Sequence, residues 1–448
     1  MALLCLAVSA SYRRAVTALR SNSTAGSPSR WLRGTAALRS LAHGTVGLLG
    51  FALALWSKET AITLIAVLIV YDHARLASAR AWWRPTSGTL LRGSALAALG
   101  YGYLRTRMHV MSIGGASSWE SASLSTSQLA RARNVAPAKR CPPHAPASES
   151  APGQQIRRAE NPLAYLQRNG APLRTRVLTI ANVHVRYALL LVNPLSPLCC
   201  EYSYNCVPAV HEWRDPRNPA ALVLYATVIA LAVGALRQFG CVSGDGRSRT
   251  GGRGALAVCL AWMLLPFVPA SHVFATVGTL LAERLLYVPS IGFALLVGSA
   301  SASLFTAIER ALCHATAFET PETPVNIRAH HRDPRGESRA SSRSIPMLRL
   351  IAGGAFAASL GVMVERTRAR TAEWKDDVSL FRSAIEVCPN SAKLQHHVGQ
   401  LALNVGNLTT ARAHLTRARA IDPEFCDIDV QDALVHIGEV SDSTAWNA

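Results

Sequence analysis

Residues 46–71 read VGLLGFALALWSKETAITLIAVLIVY, an apolar stretch with Ser57, Lys58 and Glu59 near its centre. A helix that crosses a bilayer needs about 20 apolar residues, and this stretch is longer. A lysine and a glutamate are costly in hydrocarbon, so a single helix would have to turn them toward a polar cavity. Alternatively, two shorter helices meet at the membrane surface with the three polar residues at the bend. Both arrangements place an ionisable pair beside the membrane. Such pairs usually serve function, although a lysine and glutamate that merely neutralise each other remain an alternative.

The composition of the whole chain agrees with a membrane protein. The 448 residues are 50% hydrophobic and 16% charged, with a net charge of +19, whereas soluble domains carry about 25% charged residues. The arginines lie in short clusters between apolar segments, which is typical of the cytoplasmic loops of multi-pass membrane proteins. No nucleic-acid-binding signature accompanies the charge, so we predict no nucleic-acid partner.

We therefore predict an all-α protein, a polytopic membrane bundle followed by a short soluble helical region. The predicted regions are a residual membrane helix and basic cytoplasmic loop at 1–45, a transmembrane domain at 46–365 with disordered inserts near 131–155 and 317–344, helical repeats at 366–426 and a tail at 427–448. The apolar segment 177–192 is difficult to place, because basic loops put both of its ends on the same side. It is therefore expected to be re-entrant or interfacial.

The C-terminal region carries a helical repeat. Ala392–Pro423 fits one tetratricopeptide repeat of about 34 residues. Its small, apolar and terminating positions are Gly399, Ala402, Gly406, Ala411, Leu415, Ala418 and Pro423, and half of a preceding repeat supplies Trp374, Phe381, Ala384 and Pro389. Arrays of this kind need about three units to be stable. We therefore expect either that the chain is truncated at its C-terminus or that the repeats pack on the membrane domain.

Three cysteines lie close together in one loop, at Cys199, Cys200 and Cys206. Their spacing does not fit a zinc site, and we predict no metal. A disulfide would be possible in an oxidising compartment. Ordinary buried thiols are the preferred interpretation.

Two further motifs carry charge near the predicted membrane surface. In ERLLYVPS (283–290), Arg284 and Tyr287 lie one turn apart. An arginine fork suits phosphate recognition, and an interfacial Arg/Tyr anchor is the alternative. Glu201 is a weak candidate for a general base and could equally be a solvated loop acid.

The order of these motifs resembles the TMTC family, membrane proteins with C-terminal tetratricopeptide repeats. The matching segments are WSKETAITLIAVLIVYD (56–72), ENPLAYLQRNGAPLRTRVLTI (160–180), NPLSPLCCEYSYNCVP (193–208), DPRN (215–218), AERLLYVPSIGFALLV (282–297) and the repeat region from Trp374 to residue 424.

The resemblance implies a GT-C-like mannosyltransferase of the endoplasmic reticulum membrane. Such an enzyme transfers mannose from dolichyl-phosphate mannose to Ser or Thr of secretory-pathway proteins, cadherins among them, and its repeats face the lumen and help to hold the acceptor. The family also favours two short helices meeting at Ser57-Lys58-Glu59. Arg284 and Lys58 would bind the donor phosphate, and Glu59, Glu283 and Tyr287 would shape the pocket.

The chain departs from the family at two places. It begins after the position of a luminal acidic pair that is the family's expected general base, so we expect an N-terminally incomplete chain that is inactive without that segment. It also has Glu201-Tyr202-Ser203 where the family has Asp-Trp-Ser.

A non-catalytic scaffold whose repeats bind a protein partner is the alternative function. A transporter is weaker, because no inverted repeat is found.

Overall fold

The computed structural model describes residues 30–76, 87–113, 161–240, 254–318 and 341–445, except 194, 277–278, 424 and 426. Within these ranges the chain is all-α, as predicted. Thirteen α-helices are described: α1 Arg30–Ser57, α2 Leu64–Leu76, α3 Ser87–Ile113, α4 Pro162–Arg168, α5 Leu173–Val192, α6 Asn218–Gly240, α7 Ala255–Leu264, α8 Pro289–Phe318, α9 Ser341–Glu373, α10 Asp377–Val387, α11 Ala392–Asn404, α12 Leu408–Ile421 and α13 Asp427–Ala445. The insert near 131–155, most of that at 317–344 and residues 1–29 lie outside the described residues.

The stretch at 46–71 is not one helix. Helix α1 ends at Ser57, a 3₁₀ turn runs over Glu59–Thr63, and α2 begins at Leu64. Lys58 between them is extended, with φ −164° and ψ 137°. Its amide donates to the carbonyl of Ala54, and its own carbonyl accepts from Ala61. The polar residues therefore break the helix, which agrees with the two-helix arrangement.

Four described helices are long and apolar enough to cross a membrane, which makes this a multi-pass membrane protein. They are Leu173–Val192, Asn218–Gln238, Pro289–Ala311 and Leu350–Glu373, and shorter apolar helices occur at Ala42–Ser57, Thr60–Ala74 and Ala255–Ala270. The first of the four differs from the others, because 39% of its apolar window is buried inside the protein, against 11%, 6% and 0%.

One buried cluster joins the two helices around Lys58 to the segment that follows Arg284. It contains Phe51, Ala54, Leu55, Ala61, Leu64, Val67, Leu68, Leu96, Trp262 and Val288. Helices α7 and α8 cross closely at Gly292, where an added Cβ would lie 2.2 Å from the backbone nitrogen of Met263. Small residues permit this close approach between membrane helices.

Helices α10 to α13 form the C-terminal helical region. Gly399 on α11 lies against Leu415 on α12, so that an added Cβ would lie 3.0 Å from the Leu415 Cγ. Gly406 adopts φ +76° in the turn between these helices, a conformation that suits glycine. The stretch 427–448, predicted as a tail, contains α13, whose Ile428 and Val435 are buried in the same cluster as Leu415.

Candidate functional site

The predicted phosphate-binding residues lie on segments that meet in one apolar cluster. Lys58 is half-buried and Arg284 is exposed. Ala61, three residues after Lys58, and Val288, four residues after Arg284, are both buried in the cluster that contains Trp262. Both cations therefore flank the same packed region, and their role stays a prediction.

The three residues predicted to shape the pocket, Glu59, Glu283 and Tyr287, have different surroundings in the structure. Tyr287 is 69% exposed, and Arg284 is exposed beside it, so an arginine and a tyrosine are presented on the surface of the 3₁₀ turn Glu283–Leu286. Glu59 is the first residue of its 3₁₀ turn, and its side chain lies outside what the structure describes.

Glu283 faces the loop between α5 and α6. Its Oε1 accepts hydrogen bonds from the amide of Cys199 and the hydroxyl of Tyr202, each at 2.8 Å, and its Oε2 lies 3.6 Å from Nη2 of Arg370. Burial, followed by the Glu283 charge, raises the pKa of Tyr202, so the phenol stays protonated and able to donate. One carboxylate thus joins the ERLLYVPS segment, the 193–217 loop and helix α9.

Two arginines of α9 hold the same loop by its backbone. Arg366 Nη2 donates to the carbonyl of Ser196 at 2.8 Å, and Arg370 Nη1 donates to the carbonyl of Leu198 at 3.3 Å. Arg370 also pairs with Glu373 and lies 5.6 Å from the ring centroid of Trp374. Sequence reasoning missed both arginines, because nothing local indicates that residues about 170 positions apart would meet.

Glu201, the weak candidate for a base, is engaged in contacts with the helical repeats. Its Oε1 accepts from the amide of Ser203 at 3.0 Å, and its Oε2 lies 3.3 Å from Nζ of Lys393 on α11. The amide of Ala392 donates to the carbonyl of Tyr204, and the Ser391 hydroxyl donates to that of Ser203. These contacts indicate that Glu201 helps to fix the repeats to the loop.

A disulfide between Cys206 and Cys388 strengthens this junction. The preference for ordinary buried thiols was therefore wrong for Cys206, because its partner lies 182 residues away at the end of α10. Cys199 and Cys200 are free, as preferred. The junction of residues 199–207 with α10 and α11 is called the loop–repeat junction below.

The DPRN motif forms a local clamp at the other end of the loop. Arg217 donates to Asp215 through Nε at 2.8 Å and Nη2 at 2.6 Å, and to the carbonyl of Pro208 at 3.1 Å. The hydrogen bonds from Arg217 lower the pKa of Asp215 to about 2. This acid is therefore charged and paired, and its contacts are structural.

Helix α5 runs among these loops. The Thr179 hydroxyl accepts from the amide of Val210 at 3.0 Å, and a ring nitrogen of His184 lies 2.7 Å from the carbonyl of Ser271. Tyr187 accepts at its hydroxyl from the amide of Ala282 at 3.1 Å. Contacts with two separate inter-helix segments along its length explain why this helix is the most buried of the four. It is long enough to cross a membrane, and the re-entrant or interfacial placement of 177–192 stays a prediction.

Comparison with known proteins places these segments in a family. The profile described as "Protein O-mannosyl-transferase TMTC, DUF1736" matches residues 151–229, which contain α4, α5 and the loop. Protein O-mannosyl-transferase TMTC3 of Mus musculus is 30% identical over 267 residues, covering 60% of this chain and 23% of the relative. Tmtc3 of Drosophila melanogaster is 30% identical over 236 residues, covering 52% and 20%.

Human TMTC4 is 28% identical over 214 residues, covering 48% of this chain and 22% of the relative. The matched part thus spans less than a quarter of each of these relatives. No solved structure matches the chain. These matches confirm the resemblance to the TMTC family that the sequence predicted.

Proposed function

We propose that the full-length protein transfers mannose from dolichyl-phosphate mannose to Ser or Thr hydroxyls of secretory-pathway proteins at the luminal face of the endoplasmic reticulum membrane. The names of the relatives support the transfer of mannose to protein. One observation supports the choice of site. Ala61 and Val288 are buried in the same cluster, and they lie next to the segments that carry Lys58 and Arg284.

In this proposal Arg284 and Lys58 bind the phosphate of the lipid donor. The lipid phosphate gains negative charge as its bond to mannose breaks, so cations held in place beforehand lower the barrier. Tyr287, which is exposed, and Glu59 would shape the entrance. Glu283 would hold the Arg284 turn in place, because its carboxylate contacts Cys199, Tyr202 and Arg370.

The general base is assigned to no described residue of this chain. Glu201 is paired with Lys393 and Asp215 with Arg217, so neither carboxylate is free to take a proton from an acceptor hydroxyl. We propose that the luminal acidic pair expected from the family supplies it in the full-length protein.

The luminal placement of the repeats is supported by the loop–repeat junction. Disulfides persist in oxidising compartments such as the lumen of the endoplasmic reticulum, and Cys206–Cys388 joins the loop to α10. We propose that the loop, the end of α9 and the repeats all face the lumen, where the repeats hold an acceptor protein, cadherins being one class.

The test is mannose transfer from a labelled dolichyl donor by membranes that contain the full-length protein. Arg284→Ala should abolish transfer while the protein remains inserted. Arg310→Ala, which removes an exposed arginine from helix α8, the helix that follows the Arg284 turn, should leave transfer unchanged. Equal activity of the two variants would reject the role of Arg284, and absence of transfer by the unmodified protein would favour the scaffold.

A further inference from the structure

A glycosylation motif lies in the turn between two helices of the repeat region. The pattern Asn-x-Ser/Thr, with x other than proline, accepts N-linked glycans in secreted proteins. The chain contains this pattern twice, at Asn22-Ser23-Thr24 and at Asn407-Leu408-Thr409. The first lies outside the described residues, in the part predicted as a cytoplasmic loop. The second lies between α11 and α12, in the part that the proposed function places in the lumen.

Asn407 caps helix α12 through one of its two side-chain polar atoms. Its Oδ1 accepts from the amide of Thr410 and from the hydroxyl of Thr409, each at 3.0 Å. A backbone amide needs an acceptor, so the cap identifies this atom as the carboxamide oxygen. Nδ2 is the remaining atom, and it makes no hydrogen bond with any residue that the structure describes. The atom to which a glycan attaches is thus unoccupied.

The surroundings of Asn407 leave room for a bulky group. Asn407 and Thr409 are exposed, as are residues 404–406 before them, and a Cβ added at Gly406 would meet no atom within 4 Å. The turn lies at the opposite end of α11 from Ala392, which bonds the loop–repeat junction. Helix α11 has 13 residues, so its two ends lie roughly 20 Å apart. A glycan on this turn is therefore well separated from the junction.

We propose that Asn407 carries an N-linked oligosaccharide. The modification rests on the luminal placement of the repeats proposed above, because the transferring enzyme acts in that compartment. A sugar on Nδ2 leaves Oδ1 free to keep both of its hydrogen bonds, so helix α12 retains its cap after modification. Asn404 lies in the same exposed turn but has Gly406, not a hydroxyl residue, two positions later. It should stay unmodified.

The transfer to Asn407 needs a second substrate, an oligosaccharide linked to a polyprenyl diphosphate, which the oligosaccharyltransferase of the endoplasmic reticulum uses. A bond forms between Nδ2 and the anomeric carbon of the first sugar, while the bond from that carbon to the diphosphate oxygen breaks. The lipid diphosphate leaves with the bonding electrons, and Nδ2 releases one proton to a base of the transferring enzyme. The protein described here is the acceptor in this step.

The test is mass spectrometry of the full-length protein produced in animal cells. Trypsin cuts after Lys393 and Arg412, so one peptide contains both Asn404 and Asn407. An amidase that removes N-linked glycans converts the modified carboxamide to a carboxylate. The treated wild type should carry this carboxylate at residue 407 and an intact carboxamide at Asn404, and an untreated sample should yield little of the free peptide.

Gel mobility of variants provides the second measurement. Asn407→Gln and Thr409→Ala should both migrate faster than the wild type by the mass of one glycan. Thr409→Ala leaves the Asn407 cap in place and so decides if Asn407→Gln fails to fold. Thr409→Ser, which keeps the hydroxyl, and the matched controls Asn404→Gln and Asn22→Gln should migrate like the wild type.

An unmodified residue 407 in the wild type would overturn the proposal, and Asp442→Asn shows the reason for such a failure. This variant creates the same motif at 442–444 on α13. If it gains a glycan while Asn407 stays bare, the repeats are luminal and only the Asn407 site is rejected. If neither residue is modified, the luminal placement fails together with the site.

Discussion

Cys206, in the loop between α5 and α6, is joined by a disulfide to Cys388 at the end of α10. Around this bond, Lys393 pairs with Glu201 and lies 5.4 Å from the ring centroid of Tyr204, and Tyr204 packs on Phe425 with ring centroids 5.3 Å apart. The repeats are therefore held by covalent, ionic and aromatic contacts to a loop of the membrane domain.

The first prediction concerns this disulfide. Cys388→Ser should loosen the loop–repeat junction, because loss of a native disulfide typically costs about 2–5 kcal/mol. Limited proteolysis should then cut more rapidly between α9 and α10. Cys259→Ser, which removes a free buried thiol on α7, is the matched control and should leave that cleavage rate unchanged.

The pairing itself can be checked on the same material. After cleavage between residues 206 and 388, the two fragments should migrate together on a gel without reductant and separate when a reductant is added. Separation without reductant would show that the two cysteines are not joined.

The second prediction concerns Glu283. Glu283→Ala leaves the Tyr202 hydroxyl without its acceptor and removes one of the two carboxylates beside Arg370. We expect a loss of about 1–3 kcal/mol in stability for the unmet donor. Glu283→Gln keeps an acceptor oxygen for Cys199 and Tyr202 and should cost less. Thermal unfolding of the full-length protein measures both, and equal losses would mean that the ion pair with Arg370, rather than the hydrogen bonds, holds the loop.

The third prediction is a pH dependence of the repeats. Burial, followed by the charges of His396 and Lys393, lowers the pKa of His397 to about 4, while Gln400 and Glu201 act in the opposite direction. In the unfolded chain histidine titrates near 6.5. Between these two values the unfolded state binds more protons, so stability is complete above about pH 6.5 and falls as the pH drops toward 4.

The loss should reach at most about 3.5 kcal/mol, at ~1.4 kcal/mol per pKa unit. His397 stacks on Phe381 with ring centroids 4.4 Å apart, so His397→Phe should preserve this packing. The free energy of unfolding of the full-length protein, measured at several pH values, should depend less steeply on pH in this variant. The pH dependence that remains would come from His396, because burial also lowers its pKa. An unchanged slope would exclude His397 as the source.

Much of the fold could be predicted because it depends on local patterns. The interruption at Lys58 indicated a possible break in the first apolar stretch, and the small residues Gly399 and Ala411 indicated where helices approach closely. Glu283 was more difficult, since ERLLYVPS indicates a charged turn and says nothing about which neighbour its carboxylate meets. Glu201 was misleading for a similar reason, as an acid in a loop looks available until Lys393 is seen beside it.

The sequence by itself determined that this is an all-α membrane protein similar to the TMTC family, because hydropathy, helix breakers and motif order depend on residues close together in the chain. Only the tertiary structure decided that Cys206 joins Cys388, that Arg370 meets Glu283 and that Lys393 pairs with Glu201. These features depend on which distant segments pack together and exclude water. No local pattern encodes that pairing.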